Sequence, residues 1–335
     1  MKVAVYTDKP RGGLLRELVR GLEAHQIPYH LTTRSERIDE ADLLVVLGSD
    51  RDILKALHHL GGSTTPILGV SEADTSTFLA DIGVEEFKEA IGKIVKEEYW
   101  VEEAARISVE VDGEQLPPAL NEAALFAARS ATLIEYVLQV DGEDVWRDHS
   151  DGVIVATPVG STAYALSAGG PVILHKASVF TIVSVNSLDV TRRPLIVPDT
   201  STIALTQIST AHRAEMVVDG IYRARVNERV VLGKFPTPAR LIRLKKTSST
   251  LERYARKLKL AEALLKMPPS AKLVLKTLQY EGPLTQKDLV RITMLPERTT
   301  RMALSLLIKN GLVQQRPLLR DSRHKIYYAV TQAEA

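Results

Sequence analysis

Hydrophobic positions along the first hundred residues form short solid runs that alternate with helical stripes. "MKVAVYT" opens as a buried strand, and "GLLRELVRGLEAHQI" sets Leu14, Leu15, Leu18, Leu22 and Ile27 at helical spacing. "ADLLVVLGS" is a second strand, apolar throughout, as expected where helices cover both faces of a parallel sheet. "DILKALHHLGG" predicts a helix ended by glycine, "PILGVS" a third strand and "VEEFKEAIGKIVKEEYW" a further helix. Residues 1–98 are therefore expected to form a small parallel α/β domain.

Over residues 99–249 the period falls to two. "ARISVEVDGEQL", "TLIEYVLQVDGEDVWR", "FTIVSVNSL", "STIALTQIS", "AEMVVDGIYRARV" and "ERVVLGKF" are Val- and Ile-rich runs broken by Asp-Gly turns, which predicts an antiparallel all-β domain. Residues 250–266 return to a helical pattern as a linker helix, and "MPPS" breaks it. Over 267–331 three helical segments precede two short strands, the order of a winged helix-turn-helix. Thr285, three residues before Asp288, predicts a capped second helix; Met302, Leu306 and Leu307 are expected to face the core from the third.

Composition narrows the chemistry. No apolar run reaches a membrane span and no secretory leader opens the chain, so the expected location is cytoplasmic. With no cysteine, disulfides, thiolate metal sites and cysteine nucleophiles are excluded together, and no metal site is expected. The net charge of +2 hides an asymmetry: residues 1–265 carry 31 Lys+Arg against 36 Asp+Glu, and residues 266–330 carry 12 against 4. The basic end is read either as a surface for a polyanion or as a solvated helix set.

Two stretches carry candidate chemistry. "LLVVLGSDRDILKA" places Gly48 to Asp52 at the carboxyl end of a parallel strand, where open α/β sheets bind ligands. Asp50 there is either a base for a hydroxyl proton or, like Asp52, a helix cap. "ALNEAAL" sets Asn121 and Glu122 among apolar neighbours, where polar side chains need partners. "DGVIVATPVGSTAYALSAGGPV" adds the hydroxyls of Thr157, Ser161, Thr162 and Ser167, an aromatic Tyr164 for stacking, and glycines permitting close backbone approach. Together these read as a pocket for a nucleotide-sized ligand.

"LNE" and "DGVIVATPVGSTAYALSAGGP" resemble the NAD kinase family, over roughly residues 1–258, and the second stretch keeps every fixed position of the family's pattern. "RRPLIVPD" and "VVDG" resemble family runs as well. The resemblance implies a two-domain body of parallel α/β domain plus β-sandwich. It implies that Asn121 and Glu122 meet the adenosine side of a dinucleotide, with Thr162, Ala163, Tyr164 and Ser167 around it and Asp151 toward the nicotinamide. The family's phosphate loop is G-G-D-G-T, whereas here it is Gly48, Ser49, Asp50, Arg51, Asp52. Asp50 is kept, but Arg51 crowds the donor and Asp52 adds repulsion toward phosphate. Arg51 is alternatively a partner for a donor's γ-phosphate or for the 2′-phosphate of NADP. The next loop, "GVSEADTSTFLAD", keeps Gly69 and Phe78 but replaces the family's Asn and glycines by Ser71, Glu72 and Asp74.

The expectation from these departures is a DNA-binding transcriptional regulator, a catalytically inactive dinucleotide sensor for NAD or NADP acting as a homodimer or homotetramer on double-stranded DNA. Arg298, Thr299, Thr300 and Arg301 would enter the major groove, while Arg316, Arg320, Arg323 and Lys325 in the wing would meet phosphates. The alternative is an active NAD kinase with Asp50 as base, Mg²⁺, and ATP or polyphosphate as donor, the basic module serving autoregulation. A third option is phosphorylation of a lipid or sphingoid base, from which the "TPVGSTAYALSAGG" block departs further.

Overall fold

The computed structural model describes residues 1–8, 12–32, 41–71, 78–129, 132–244, 255, 267–281, 283–310, 312–318 and 321–329. They belong to two units: Met1–Val70 with Leu79–Leu251, and Ser71–Phe78 with Glu252–Ala335. The segment expected as a linker helix lies, but for Ala255, outside the described residues, as do Glu72 and Asp74 of the second loop.

In the first unit the apolar runs become β1 (Val3–Tyr6), β3 (Leu43–Leu47) and β4 (Ile67–Ser71), every residue of them buried. They pair in parallel, β1 with β3 and β3 with β4. Around them lie α1 (Gly12–Ala24), α2 (Asp50–Leu60) and α3 (Phe87–Val95). A strand absent from the expectation, β2 (Tyr29–Thr32), pairs in parallel with β1 at the edge, where "YHLT" is half-buried and carries no apolar run. Short β5 (Ile82–Gly83) pairs with β4.

The expected boundary at residue 98 is crossed twice. Both β6 (Trp100–Ala104) and β19 (Ala239–Arg243) join this sheet, whose order is β2-β1-β3-β4-β19-β6. "ARLIR" was hidden by its two arginines, yet Ala239, Leu241 and Ile242 are buried, and β19 runs parallel to β4 and antiparallel to β6.

The remaining strands of this unit make a sandwich. One sheet contains β7 (Ile107–Val111), β8 (Glu114–Ala119), β10 (Ile134–Val140), β11 (Glu143–Ser150), β15 (Ile203–Thr210) and β18 (Val230–Lys234), in the order β11-β10-β15-β18-β7-β8. The other contains β9 (Glu122–Ala127), β12 (Gly152–Ala156), β13 (Val179–Val185), β14 (Leu195–Pro198), β16 (Ala214–Val218) and β17 (Tyr222–Val226), in the order β14-β13-β12-β9-β16-β17. Their facing side chains, among them Leu125, Tyr136, Phe180, Met216 and Leu232, share one core.

The three Asp-Gly turns of this sandwich have positive φ at both residues: 51° and 89° at Asp112-Gly113, 53° and 87° at Asp141-Gly142, 50° and 64° at Asp219-Gly220. Positive φ at both central residues is the tight hairpin geometry that Asp-Gly favours. Each aspartate also reaches to another segment: Asp112 accepts from the amides of Asn227, Glu228 and Arg229, Asp141 from that of Thr202, and Asp219 from those of residues 120–122.

After β12 comes a short helix, α4 (Tyr164–Ser167). In the second unit lie α5 (Pro269–Glu281), α6 (Gln286–Thr293) and α7 (Glu297–Lys309), with β20 (Leu284–Thr285), β21 (Val313–Leu318) and β22 (Asp321–Ala329) in the order β20-β22-β21. Leu275, Leu278, Leu289, Leu304 and Leu307 form its core. Thr285 caps α6, accepting from the Asp288 amide and donating to its carboxylate. Met302 departs from expectation: it is 65% exposed, whereas Ala303 and Leu307 of α7 are buried. Among the described residues no helix is long and apolar enough to cross a membrane.

Candidate active site

The first candidate stretch begins where β3 ends. Gly48 donates its amide to the Val70 carbonyl, and a Cβ on Gly48 would lie 2.4 Å from Asp52 Oδ2, so only glycine fits there. Ser49 precedes α2 and gives both its amide (2.8 Å) and its hydroxyl (2.7 Å) to Asp52 Oδ2. The Asp52 carboxylate is thereby folded back as a cap. Asp50, at the first position of α2, accepts the Leu79 amide at Oδ1 (2.9 Å). Arg51 is exposed and has no partner among the described residues.

The Asn121-Glu122 stretch hangs on one buried carboxylate. Asp219 Oδ1 accepts the amides of Asn121 (2.7 Å) and Glu122 (3.2 Å), and Oδ2 that of Leu120 (2.9 Å). His58 Nε2, in the last turn of α2, lies 2.9 Å from Oδ2. One helix thus carries Asp50 at its start and meets the anchor of the Asn121-Glu122 segment at its end. The packing beneath agrees, since Leu120 and Val159 share a core with Ile53, Leu54 and Leu57 of α2.

The loop after β12 is fixed by its own hydroxyls. Thr157 Oγ1 donates to the Leu120 carbonyl (2.6 Å) and accepts the Gly160 amide (3.0 Å). Ser161 Oγ, buried, bonds the Pro158 carbonyl (2.7 Å) and accepts the Ile173 amide (3.0 Å). Gly160 presses against Asn121 so closely that a Cβ would stand 1.9 Å from the Asn121 carbonyl oxygen. Thr157 and Ser161 therefore shape the loop, and the surface is left to Thr162, Ala163, Tyr164 and Ser167, all at least partly exposed. Tyr164 stacks on Phe126 at 5.8 Å. Asp151, half-buried, accepts from Asn186 Nδ2 at 2.8 Å.

Family models match both halves of this body: the ATP-NAD kinase N-terminal domain over residues 13–99 and the ATP-NAD kinase C-terminal domain over 120–244. A protein of Methanothermobacter thermautotrophicus named NAD kinase is 34% identical over 209 residues, which cover 62% of this chain and 73% of that one. The chain belongs to the NAD kinase family. A NAD kinase of Methanopyrus kandleri is 32% identical over 62% of this chain and 75% of its own. The crystal structure of an NAD kinase from Archaeoglobus fulgidus in complex with ATP superposes with a TM-score of 0.65 at 28% identity, covering 73% of this chain and 94% of that one. Yeast NADH kinase complexed with NADH shares the fold, with a TM-score of 0.67 at 22% identity over 77% of this chain and 87% of that one.

These likenesses overturn the expectation of a transcriptional regulator built on an inactive sensor, because the curated relatives at 32–34% identity carry the name NAD kinase and the matched structures are kinases. The geometry bears on the premise too. The Asp52 carboxylate that was expected to repel phosphate is spent on Ser49, and the Arg51 side chain that was expected to crowd the donor stands in solvent. No support for a DNA partner comes from the family. Of the residues assigned to it, Thr300 is buried with its hydroxyl on the Pro296 carbonyl, so it faces the core of its own unit. Arg298 is exposed, Thr299 half-buried, and Arg301 pairs with Glu297 at 3.3 Å. Lys325 is exposed on β22; Arg316 and Arg323 lie on β21 and β22 with side chains outside the described residues, as is the whole of Arg320.

Sequence reasoning missed Asp219, His58 and Leu79. The Asp219 signal was present in "VVDG", where the hairpin turn explained the aspartate and concealed its second use. His58 and Leu79 carry no local signal, since each meets its partner from a distant part of the chain.

Proposed function

We propose that this body is an active NAD kinase, transferring the terminal phosphoryl group of ATP or polyphosphate to the 2′-hydroxyl of NAD to give NADP. The observation that carries the reading is the Asp50 carboxylate, kept at the start of α2 and fixed by the Leu79 amide while its neighbour Asp52 is turned into a cap. In the reaction, Asp50 takes the hydroxyl proton as the ribose oxygen bonds to the terminal phosphorus. The bond from that phosphorus to its bridging oxygen breaks, ADP or the shortened polyphosphate leaves, and the proton passes from Asp50 to solvent.

Asn121 and Glu122 hold the adenosine side, Thr162, Ala163, Tyr164 and Ser167 line the dinucleotide, and Asp151 faces the nicotinamide. Exposed Arg51 is available to the donor's terminal phosphate, where its guanidinium would bind two oxygens at once. Among the described residues no group of three carboxylates or imidazoles is placed to hold a metal. Mg²⁺ would enter with the donor's phosphates, as it commonly does with few protein ligands, and would offset their negative charge.

The residues from 267 onward we read as a winged helix-turn-helix joined through 250–266, an assignment supported by three helices followed by the β21–β22 hairpin. Limited proteolysis tests those limits. The kinase reading is tested by incubating the full chain with NAD, Mg²⁺ and either ATP or polyphosphate and following NADP with an NADP-specific dehydrogenase. Asp50→Asn is expected to lower turnover by about 100-fold or more while NAD still binds. Equal turnover by wild type and variant would refute the role of Asp50.

A further inference from the structure

Arg243 ends β19 and is among the most deeply buried large side chains, at 1% exposure. Taking a guanidinium out of water is costly unless its donors are satisfied. Its Nε donates to Glu102 Oε2 at 2.6 Å, and its Nη1 donates to the Leu79 carbonyl at 2.7 Å with Asp81 Oδ1 3.8 Å away, while its Nη2 is buried without a hydrogen-bond partner among the described residues. Glu102 in turn meets His175 Nδ1 through its other oxygen at 3.1 Å. The residue whose carbonyl Arg243 grips is the one whose amide holds Asp50.

Leu79 is therefore clamped from both sides. The segment around it is also pressed onto β4: the Asp81 amide bonds the Gly69 carbonyl, and a Cβ on Gly69 would stand 2.7 Å from Ala80 Cα. The Asp81 carboxylate accepts the Leu244 amide at 2.8 Å, tying the same segment to the residue after Arg243. A buried charge aimed at one carbonyl, one residue from a carboxylate that must be fixed, has a direct use.

We propose that Arg243 is a positioning residue for Asp50, holding Leu79 so that its amide fixes the carboxylate in the orientation the transfer step needs. The inference rests on the kinase reading for its effect on turnover, but the clamp itself is measurable without turnover. Misplacing a reacting group by about 1 Å costs about 100-fold in rate. Arg243→Met is expected to lower kcat about 10- to 100-fold with KM for NAD nearly unchanged. Combined with Asp50→Asn it should add little to the loss from Asp50→Asn alone, because both act through one carboxylate. Arg243→Lys, which keeps a donor for Glu102 or Leu79, should recover part of kcat and serves where the methionine variant folds poorly.

Hydrogen exchange supplies the second arm. In folded Arg243→Met or Arg243→Lys the Leu79 amide should exchange at least tenfold faster than in wild type, with β1 and β3 unchanged. Acceleration confined to that segment supports the clamp even should the wild-type chain make no NADP, an outcome that would strike only the kinase reading. Unchanged exchange at Leu79, or losses in kcat that simply add to those of Asp50→Asn, would overturn the proposal.

Discussion

Replacing Asp219 by asparagine tests the anchor of the Asn121-Glu122 segment with little change in shape. The residue has φ of 50°, a conformation that asparagine tolerates as well as aspartate does, so the backbone of the turn is unaffected. What changes is the number of acceptors. Four donors converge on the carboxylate: the amides of Asn121 and Glu122 on Oδ1, and the Leu120 amide with His58 Nε2 on Oδ2. The amide of an asparagine has one oxygen. With that oxygen toward Asn121 and Glu122, the NH₂ group faces Leu120 N–H, while His58 can accept from it by changing tautomer. One buried backbone donor is left unpaired, costing about 1–3 kcal/mol, and the bonds that remain lose the strength of a charged acceptor.

A total near 3 kcal/mol corresponds to a fall in melting temperature of about 6–12 °C for a unit of this size. Intrinsic tryptophan fluorescence reads that unit alone, because both tryptophans, Trp100 and Trp146, belong to it. Since Asn121 and Glu122 are positioned by the same carboxylate, NAD affinity should weaken in parallel. A melting temperature within about 1 °C of wild type together with unaltered NAD binding would refute the role given to Asp219.

Further predictions follow from single contacts. Gly160→Ala places a Cβ against the Asn121 carbonyl at 1.9 Å, an overlap that only backbone movement relieves; NAD binding measured by calorimetry should be lost, and retained affinity would show that the two loops are not in contact. At Asp112, burial pushes the carboxyl pKa up, but the amides of Arg229, Glu228 and Asn227 and the Asn227 side chain outweigh it and hold the value below the ordinary one. The carboxylate therefore contributes stability that is fully present above about pH 3.9 and is lost as pH falls through its lowered folded value. Asp112→Asn should melt below wild type at pH 7, with the gap closing toward pH 3; a gap that stays constant would contradict the assignment.

Much of this architecture could be read from patterning, because solid apolar runs and period-two runs are direct consequences of burial on both faces or on one. The Asp-Gly turns were legible for the same reason: few residue pairs accept two successive positive φ values. What stayed hidden were pairings made across the chain. β19 returns from the sandwich side to the first sheet with an arginine-rich sequence, and β2 lies at an edge where half its side chains meet water. In the site, the block from Asp151 to Gly170 was unmistakable in composition, but the meaning of Arg51 and Asp52 was not. A carboxylate next to a phosphate loop reads as repulsion until the structure shows it turned back onto Ser49. Similarly, Thr300 sits where a recognition helix would place a contact, and its burial is decided by packing that residue type alone does not reveal.

The most direct measurement supplies the full-length chain with NAD and a donor labelled in its terminal phosphoryl group, and locates the label in the product by phosphorus NMR. The account predicts a new 2′-phosphomonoester on the adenosine ribose, formed catalytically and abolished in Asp50→Asn. NAD that binds yet returns unphosphorylated with ATP and with polyphosphate alike would contradict it.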